Sequence, residues 1–392
     1  MFRLFLKQKM VWLGLLGIAV AVAIFTFAFM GSTTNPVPKD LPIAMVVEDA
    51  GSKTPNNKLI NLGKRIEKSL GSMGELPVKW GIEASEEDAR QKMDERKYYA
   101  TIVLPEDLTA NVMSLPTEKA NIPEVKILIN EGMNYTGATA SKQMLEGIIM
   151  KMNNQVQQMM YAQIGKQTNV ITINQAKLLA NPIRTEEERM NKVGERSGNG
   201  NLPTMLTQTL WLTTFISSMI LFVAMRKITH TKPRLSSIAA QLVTGVLFVG
   251  VISAVMLTIA TSVLNANITD VLSLSVFVFF VGYMFFLLQN ALLNWIGFAA
   301  APIFLLLFFF SMPILSLPKE FLPSLTNDLL YSWVPFRFSV DGMRSLLFFD
   351  GYHIGAPGSV LGLIGIGSLL VMVASVLKPS KLSVKKQVTV DN

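Results

Sequence analysis

Residues 271–317 read VLSLSVFVFFVGYMFFLLQNALLNWIGFAAAPIFLLLFFFSMPILSL, without one Asp, Glu, Lys or Arg. A helix that crosses the roughly 30 Å hydrocarbon core of a bilayer needs about 20 apolar residues, because each residue advances it by about 1.5 Å. The stretch therefore supplies two membrane spans, which we place at residues 271–293 and 296–317.

Four more uncharged apolar segments lie outside this stretch, at residues 11–30, 206–225, 238–264 and 359–377. A buried helix of a soluble protein is the alternative for any one segment, but six such runs favour membrane helices. The first could also be a signal peptide; its apolar core is too long for one, and no small-residue cleavage site follows. We predict an α-helical membrane protein with six transmembrane helices.

The composition agrees with this class and excludes others. The 392 residues are 50% hydrophobic and 16% charged, whereas a soluble domain carries about a quarter charged residues. The chain has no cysteine and only two, distant histidines, which leaves no thiolate metal site and few catalytic candidates. It also lacks the P-loop, G-x-G-x-x-G, H-E-x-x-H and G-x-S-x-G motifs. We therefore predict no enzyme activity, no cofactor and no metal in this chain.

Positive charges cluster in three segments beside the predicted spans. They are Arg3, Lys7 and Lys9 before the first span, Arg226, Lys227, Lys232 and Arg234 between the second and third, and Lys378, Lys381, Lys385 and Lys386 after the sixth. Because short cytoplasmic loops carry an excess of Lys and Arg, we expect a multi-pass protein of a bacterial plasma membrane with both termini in the cytoplasm. The net charge of +8 is then explained by these cytoplasmic cations, which set the orientation of the chain in the membrane.

The predicted spans divide the chain into residues 1–30, 31–205 and 206–392. The first part is a short cytosolic segment with helix 1, and the last is a five-helix membrane domain with a basic tail. The middle part lies outside the membrane in this topology. It contains equal numbers of acidic and basic residues, so no nucleic-acid partner is indicated.

The middle part alternates strand and helix patterns, which predicts a small extracytoplasmic α/β domain between helices 1 and 2. Strand-like apolar runs lie at residues 43–47, 78–82, 101–104 and 125–129, and helical spacings at residues 57–70, 85–95, about 108–112 and 139–165. The last helix carries a Met-rich stripe, which packs on its own sheet or faces a second protomer or an adaptable groove. The charged, then Gly- and Asn-rich residues 185–202 indicate a flexible connector.

An amphipathic helix follows the fifth span. Its apolar stripe comprises Phe336, Val340, Met343 and Leu347. Its charged stripe has the same helical spacing and comprises Arg337, Asp341 and Arg344. Such a helix is typical of one that lies in the membrane interface. It is predicted either to be anchored on lipid or to act as a lateral lid.

Amides are the most polar side chains in and near the predicted spans, at Gln208, Gln241, Gln289, Asn290 and Asn294. They either form hydrogen bonds between helices or line a polar path. Proton- or sodium-coupled transporters usually need ionisable groups within the membrane, and these spans have none. Energy for any transport would have to come from another polypeptide.

Several short patterns occur in a characteristic order along the chain. One comprises Tyr98, Tyr99, Pro105 and Asp107, with Ala100, Ile102, Leu104, Leu108 and Thr109 between or beside them; a second comprises Val46, Val47, Asp49 and Gly51; a third comprises Pro318, Leu322, Pro323, Pro335, Val340, Gly342 and Arg344. With one span, a large polar domain and five further spans, the chain resembles permeases of the ABC-2 type, and within them the phage-infection-protein (Pip)-like branch. The second pattern departs from that branch in lacking its Asn.

The resemblance implies one half of an exporter, paired as a homodimer or heterodimer in the lipid bilayer. It also implies a separate cytosolic ABC ATPase that contacts residues 1–10 and 226–236, where Arg226, Lys227, Lys232 and Arg234 lie. Simple positive-inside anchoring is the alternative role for these cations. The predicted function is outward transport of an amphipathic small molecule, lipid or peptide. The alternative is a non-transporting surface protein, such as a phage or partner receptor or an accessory subunit of a secretion machine.

Overall fold

The structure is a computed structural model that describes residues 38–378, with gaps at 55–56, 73–75, 118–119, 166–171 and 230–233, and scattered helical positions between residues 9 and 23. The predicted first span at residues 11–30 and the tail beyond Lys378 therefore lie mostly or wholly outside the described residues. The described chain forms a mixed α/β unit, which we call the sheet domain (residues 38–190), followed by a bundle of long apolar helices.

The sheet domain is built on a five-stranded sheet. Its strands are β1 (Leu41–Val47), β4 (Val78–Glu83), β5 (Ala100–Leu104), β6 (Glu124–Asn130) and β7 (Arg184–Met190), and a separate antiparallel pair consists of β2 (Ser52–Lys53) and β3 (Leu59–Ile60). The strand order in the five-stranded sheet is β4-β1-β5-β6-β7. Strand β1 runs parallel to β4 and β5, β6 runs antiparallel to β5, and β7 runs parallel to β6. The four predicted strands are present, each slightly longer than the pattern indicated.

Helices cover both faces of this sheet, because alternate strand residues point to opposite sides. They are α1 (Leu62–Ser72), α2 (Glu86–Asp94), α3 (Leu108–Ser114), α4 (Tyr135–Ile164) and α5 (Ile173–Ala180). Ile43 and Met45 of β1 share a core with α1, α3 and α4, whereas Ala44 and Val46 pack against α2. The stripe of α4 is buried on the sheet at Leu145, Ile148, Met152 and Val156, which is the first of the predicted alternatives, whereas Met159 of the same stripe is 46% exposed.

Two predicted segments differ in the structure. The helix predicted at residues 57–70 begins at Leu62, because Leu59–Ile60 pairs with Ser52–Lys53 as a strand. The connector predicted at residues 185–202 begins as strand β7 in place of a flexible chain. Its carboxylates pair with cations from distant elements, in the ion pairs Glu188–Arg90, Glu187–Lys142 and Glu186–Lys126.

Long apolar helices follow the sheet domain. They are α6 (Leu202–Thr229), α7 (Leu235–Thr258), α8 (Val271–Ile296), α9 (Ala300–Ser316), α10 (Pro335–Phe348) and α11 (Gly355–Ala374). Among the described residues, four stretches are long and apolar enough to cross a membrane: Leu202–Ile228, Leu235–Val263, Val271–Ser316 and Gly355–Leu377. The third stretch is interrupted at Gly297, whose positive φ of 65° ends α8 before α9 begins.

Helix α8 lies at the centre of the bundle, against α6, α7, α10 and α11. The ring of Trp211 on α6 is fully buried and contacts the rings of Phe285, Phe304 and Phe336, with centroids 5.1, 5.9 and 4.6 Å away. The outward faces of α7 and α11 remain apolar and exposed, as at Leu247 and Leu363. A bundle with an aromatic centre and apolar outer faces is suited to a lipid surround.

Close approach between α7 and α8 depends on glycine. A Cβ added at Gly245 would lie 2.3 Å from the ring of Phe286, whereas one at Gly250 on the same helix would meet nothing closer than 3.9 Å. We expect Gly245→Ala to destabilise the protein by about 1–3 kcal/mol through overpacking. Thermal unfolding of the purified protein in detergent measures this, with Gly250→Ala as the control that leaves the midpoint unchanged or higher. Equal midpoints for both variants would contradict the close packing.

Candidate functional site

Helix α10 joins the bundle to the sheet domain. It begins at Pro335, whose ring suits the first helical turn, where no intrahelical hydrogen bond is lost. Phe336 contacts Trp211, the hydroxyls of Ser339 and Thr207 lie 2.7 Å apart, and Gly342 lies so close to Phe277 that a Cβ would be 2.2 Å from its ring. These contacts fix α10 against α6 and α8.

The structure places the whole predicted apolar stripe of α10 inside the protein. Phe336, Val340, Met343 and Leu347 are all buried in the core shared with the bundle. This face therefore contacts other helices, and lipid does not cover it. The charged stripe of Arg337, Asp341 and Arg344 lies on the other side, toward the sheet domain.

A cavity of about 620 Å³ opens between this charged stripe and the sheet domain. We call it the arginine cavity and define it by Arg96, Tyr99, Lys319, Arg337, Asp341 and Arg344. The end of α9, the Pro-rich segment 318–334 and the start of α11 complete its walls. The sequence patterns identified three of the defining residues on α10 and Tyr99, and missed Arg96 and Lys319.

Arg96 reaches α10 from the loop after α2. Its guanidinium donates to the Asp341 carbonyl at 3.3 Å and to the Ser345 hydroxyl at 2.6 Å, and lies 4.6 Å from the Phe349 ring centroid. Burial, and then the nearby charge of Arg344, lower the pKa of Arg96 to about 10. The one sequence signal for Arg96 was its position two residues before the Tyr98–Tyr99 pattern.

Tyr99 makes a second link between the sheet domain and the segment after α9. Its buried hydroxyl donates to the carboxylate of Glu320 at 2.9 Å, and the Glu320 carbonyl accepts from the Lys39 amide at 3.0 Å. Burial and the carboxylate of Glu320 hold the pKa of Tyr99 well above its ordinary value. Asn134 adds a contact of 3.3 Å to the Ser316 carbonyl. The sheet domain is thus fixed to the bundle at several points.

Asp49 is a buried structural carboxylate. Its two oxygens accept from the amides of Gly51, Gly63 and Thr109 at 3.1, 2.8 and 3.1 Å, and from the Thr109 hydroxyl at 2.5 Å. Gly51 has a φ of +75°, and a Cβ there would lie 2.6 Å from the Ile60 carbonyl. Asp49 therefore joins the loop after β1, which contains Gly51, to the first turns of α1 and α3, and all four acceptor contacts are internal.

The remaining pattern residues also have structural partners. Tyr98 donates to Glu83 at 2.5 Å and covers Gly81, and burial followed by this hydrogen bond raises the pKa of Tyr98 to about 12. The Pro105 carbonyl accepts from the Leu108 amide at 3.1 Å, and exposed Asp107 accepts from the Asn111 side chain at 2.7 Å. Of the pattern residues in the sheet domain, Tyr99 alone is among the residues that line the arginine cavity.

The predicted ATPase-contact cations lie at the far end of α6 and α7. Arg226 and Lys227 are exposed in the last turn of α6, and Arg234 is exposed immediately before α7. The Arg226 guanidinium lies 5.7 and 5.9 Å from the rings of Phe222 and Phe298. Lys232 lies outside the described residues. The three described cations therefore share one end of the bundle.

The buried amides form hydrogen bonds between helices. Gln289 donates to the Trp211 carbonyl at 3.1 Å, Asn290 donates to the Ser218 hydroxyl at 2.8 Å, and Asn294 donates to Gln241 at 3.1 Å. These contacts join α8 to α6 and α7. They correspond to the first predicted role of the amides, as interhelical contacts.

The bundle and the cavity together define a class of protein. Helices of membrane length and a polar cavity at their junction with a folded domain are features of a multi-pass membrane protein. The family of ABC-2 family transporter proteins matches residues 9–377. The chain belongs to this family, whose members are membrane permeases of ABC transporters. No curated protein and no solved structure matches the chain significantly.

The role of Asp49 can be tested by removing its charge. In Asp49→Asn the side-chain NH₂ faces amide and hydroxyl donors, and charge-assisted bonds are lost, which should cost about 2–4 kcal/mol. We expect a lower thermal midpoint and faster hydrogen exchange at the amides of Gly51, Gly63 and Thr109. Asp107→Asn, on an exposed carboxylate nearby, should leave both unchanged. Unaltered exchange in Asp49→Asn would refute the structural role.

Proposed function

We propose that this chain is the permease subunit of an ABC-2-type exporter that moves an amphipathic small molecule, lipid or peptide outward, with energy from a separate cytosolic ATPase. The family match over residues 9–377 carries the proposal. Two features of the sequence support it: the chain has no P-loop, and none of the six predicted spans contains an Asp, Glu, Lys or Arg that could couple transport to ions.

The proposed topology has six membrane helices and both termini in the cytoplasm, with the sheet domain outside, between the first and second helices. Helix α6 supports it, because its first residue follows the sheet domain and its last turn carries Arg226 and Lys227. Its 28 residues would span about 42 Å, so the domain and the basic end lie on opposite sides of a bilayer. Positive charge at the last turn of a membrane helix, as at Arg226 and Lys227, is typical of the cytoplasmic side.

The order of the sequence patterns supports placement in the phage-infection-protein (Pip)-like branch, although residue 48 is Glu and the branch's Asn is missing. We also propose that two permease chains pair, as a homodimer or with a related chain. The exposed apolar faces of α7 and α11 offer surface for such pairing or for lipid.

A non-transporting surface protein is the second candidate. A groove of about 590 Å³ between α1 and α4 supports it, because its walls combine Met152 and Met159 with Arg65 and Lys151. Such an adaptable, partly charged surface suits a protein partner. Under this second function, the sheet domain binds the partner and no ATPase is required.

The ATPase partner distinguishes the two candidates. We expect the tagged chain, extracted from its native membrane in mild detergent, to retain an ATPase that carries a P-loop. Reversing the charge of the exposed pair at the end of α6, in Arg226→Glu with Lys227→Glu, should lower its recovery about tenfold, because like charges replace a complementary contact. Quantitative mass spectrometry of the captured proteins measures this.

The matched control is Lys64→Glu with Arg65→Glu, which reverses an equally exposed pair on the sheet domain. It should leave recovery within about twofold of the wild type. If no P-loop protein is captured by the wild-type chain, the exporter proposal fails. If both double variants lowered the recovery of the ATPase equally, the proposed contact at Arg226 and Lys227 would be contradicted.

A further inference from the structure

The arginine cavity has more positive than negative charge. Four cations line it, Arg96, Lys319, Arg337 and Arg344, against the carboxylates of Glu95 and Asp341. Glu95 pairs with Lys97 at 2.5 Å, and the neighbouring Glu320 accepts from Tyr99. The cavity therefore holds a surplus of cations, and part of its negative charge is already engaged elsewhere.

Its cations also have few ionic partners. Arg344 lies 3.5 Å from Asp341, while Arg96, Arg337 and Lys319 take part in no ion pair among the residues that the structure describes. Arg337 donates only to the carbonyls of Tyr331 and Ser332, at 3.4 and 3.3 Å, and lies 5.1 Å from the Tyr331 ring centroid. Each contact is neutral, so it leaves the charge of the guanidinium uncompensated.

Burial leaves these guanidinium groups short of partners. Arg344 is only 8% exposed and has Asp341 as its one ion-pair partner among the described residues, whereas Arg96 and Arg337 are half-buried and have none. The Nε atoms of all three are buried without a hydrogen-bond partner in the described structure, and removal of a cation from water without a full counter-charge is costly. Guanidinium groups suit phosphate and carboxylate, because their planar forks bind two oxygens at once. The three groups around one space therefore offer a receptor for an anion.

The position of the cavity indicates what carries this anion. Leu315 and Leu317 at the end of α9 and Pro357 in α11 form part of its lining, so it lies where apolar helices end. Trp333 and Tyr352 beside it are 54% and 48% exposed. Exposed aromatic residues at this level are typical of the headgroup region of a bilayer. A volume of about 620 Å³ exceeds that needed for a bare phosphate.

We propose that the arginine cavity binds the anionic phosphodiester headgroup of an amphiphile, with Arg337 and Arg344 as its principal donors and Arg96 as the rear wall. Tyr99 and Asn134 form part of the same lining, and their polar groups are already engaged within the protein. The inference rests on the proposed function in one respect: it makes an anionic amphiphile the class of compound that is transported. Binding itself requires neither an ATPase nor transport.

The test uses the full chain, purified in an uncharged detergent, and counts bound lipid by native mass spectrometry. The probes are phosphatidylglycerol and phosphatidylcholine with identical acyl chains, because they differ in net headgroup charge. We expect phosphatidylglycerol to bind at least about tenfold more tightly. Arg337→Gln should lose most of this preference, and because this side chain contacts only carbonyls and rings, the variant should fold. Arg344→Gln should lose it as well.

Arg184→Gln is the control, since it removes one exposed arginine from β7 and should keep the preference. Inorganic phosphate, added at millimolar concentration, separates the two possible sources of the anion. Failure of phosphate to displace the lipid supports the headgroup, whereas displacement at equal affinity overturns the amphiphile. Equal binding of both lipids, or an unchanged preference in Arg337→Gln, overturns the site. A positive result without any recovered ATPase would contradict the exporter but retain the headgroup site.

Discussion

The packing of helix α10 between two unlike surroundings is the constraint on which the arrangement depends. One face places Phe336 against Trp211, and burial of an aromatic side chain of this kind contributes about 2–3 kcal/mol. The opposite face offers the Asp341 carbonyl and the Ser345 hydroxyl to Arg96. Because the two faces differ in chemistry, α10 can belong to the bundle and to the sheet domain together. The arginine cavity lies at the place where α10 contacts both the bundle and the sheet domain.

Much of this fold is predictable because it follows from local composition. Backbone groups in hydrocarbon must be satisfied within their own helix, so uncharged runs such as residues 238–264 identify helices without knowledge of their neighbours. The buried strands are equally predictable, because they occur in the sequence as short apolar runs. Strand β7 was not predictable, because Glu188 is stabilised by Arg90, 98 positions away. The residues next to β7 in the sequence do not include that partner. The charged composition of residues 185–202 therefore indicated a loop.

The candidate site was predictable in part for the same reason. Arg337, Asp341 and Arg344 share one face of one helix, so their spacing showed the charged stripe. Arg96 meets Ser345 across 249 positions, and its relation to that stripe exists only in the folded chain. The short patterns were informative in a different way. Asp49 and Gly51 mark a position where the loop after β1 is held against the first turns of α1 and α3, which gives this pattern a structural role.

The walls of the arginine cavity come from both parts of the molecule, and this ties its properties to the bundle. Arg96 and Tyr99 belong to the sheet domain, whereas Arg337 and Arg344 belong to α10, which contacts α6, α8 and α11. A movement of α10 relative to the sheet domain therefore changes the distance between the guanidinium groups. A ligand that binds all of them favours the arrangement in which they converge, and by linkage that arrangement binds the ligand more tightly. An anion in the cavity would thus stabilise the junction by supplying the counter-charge that the fold leaves out.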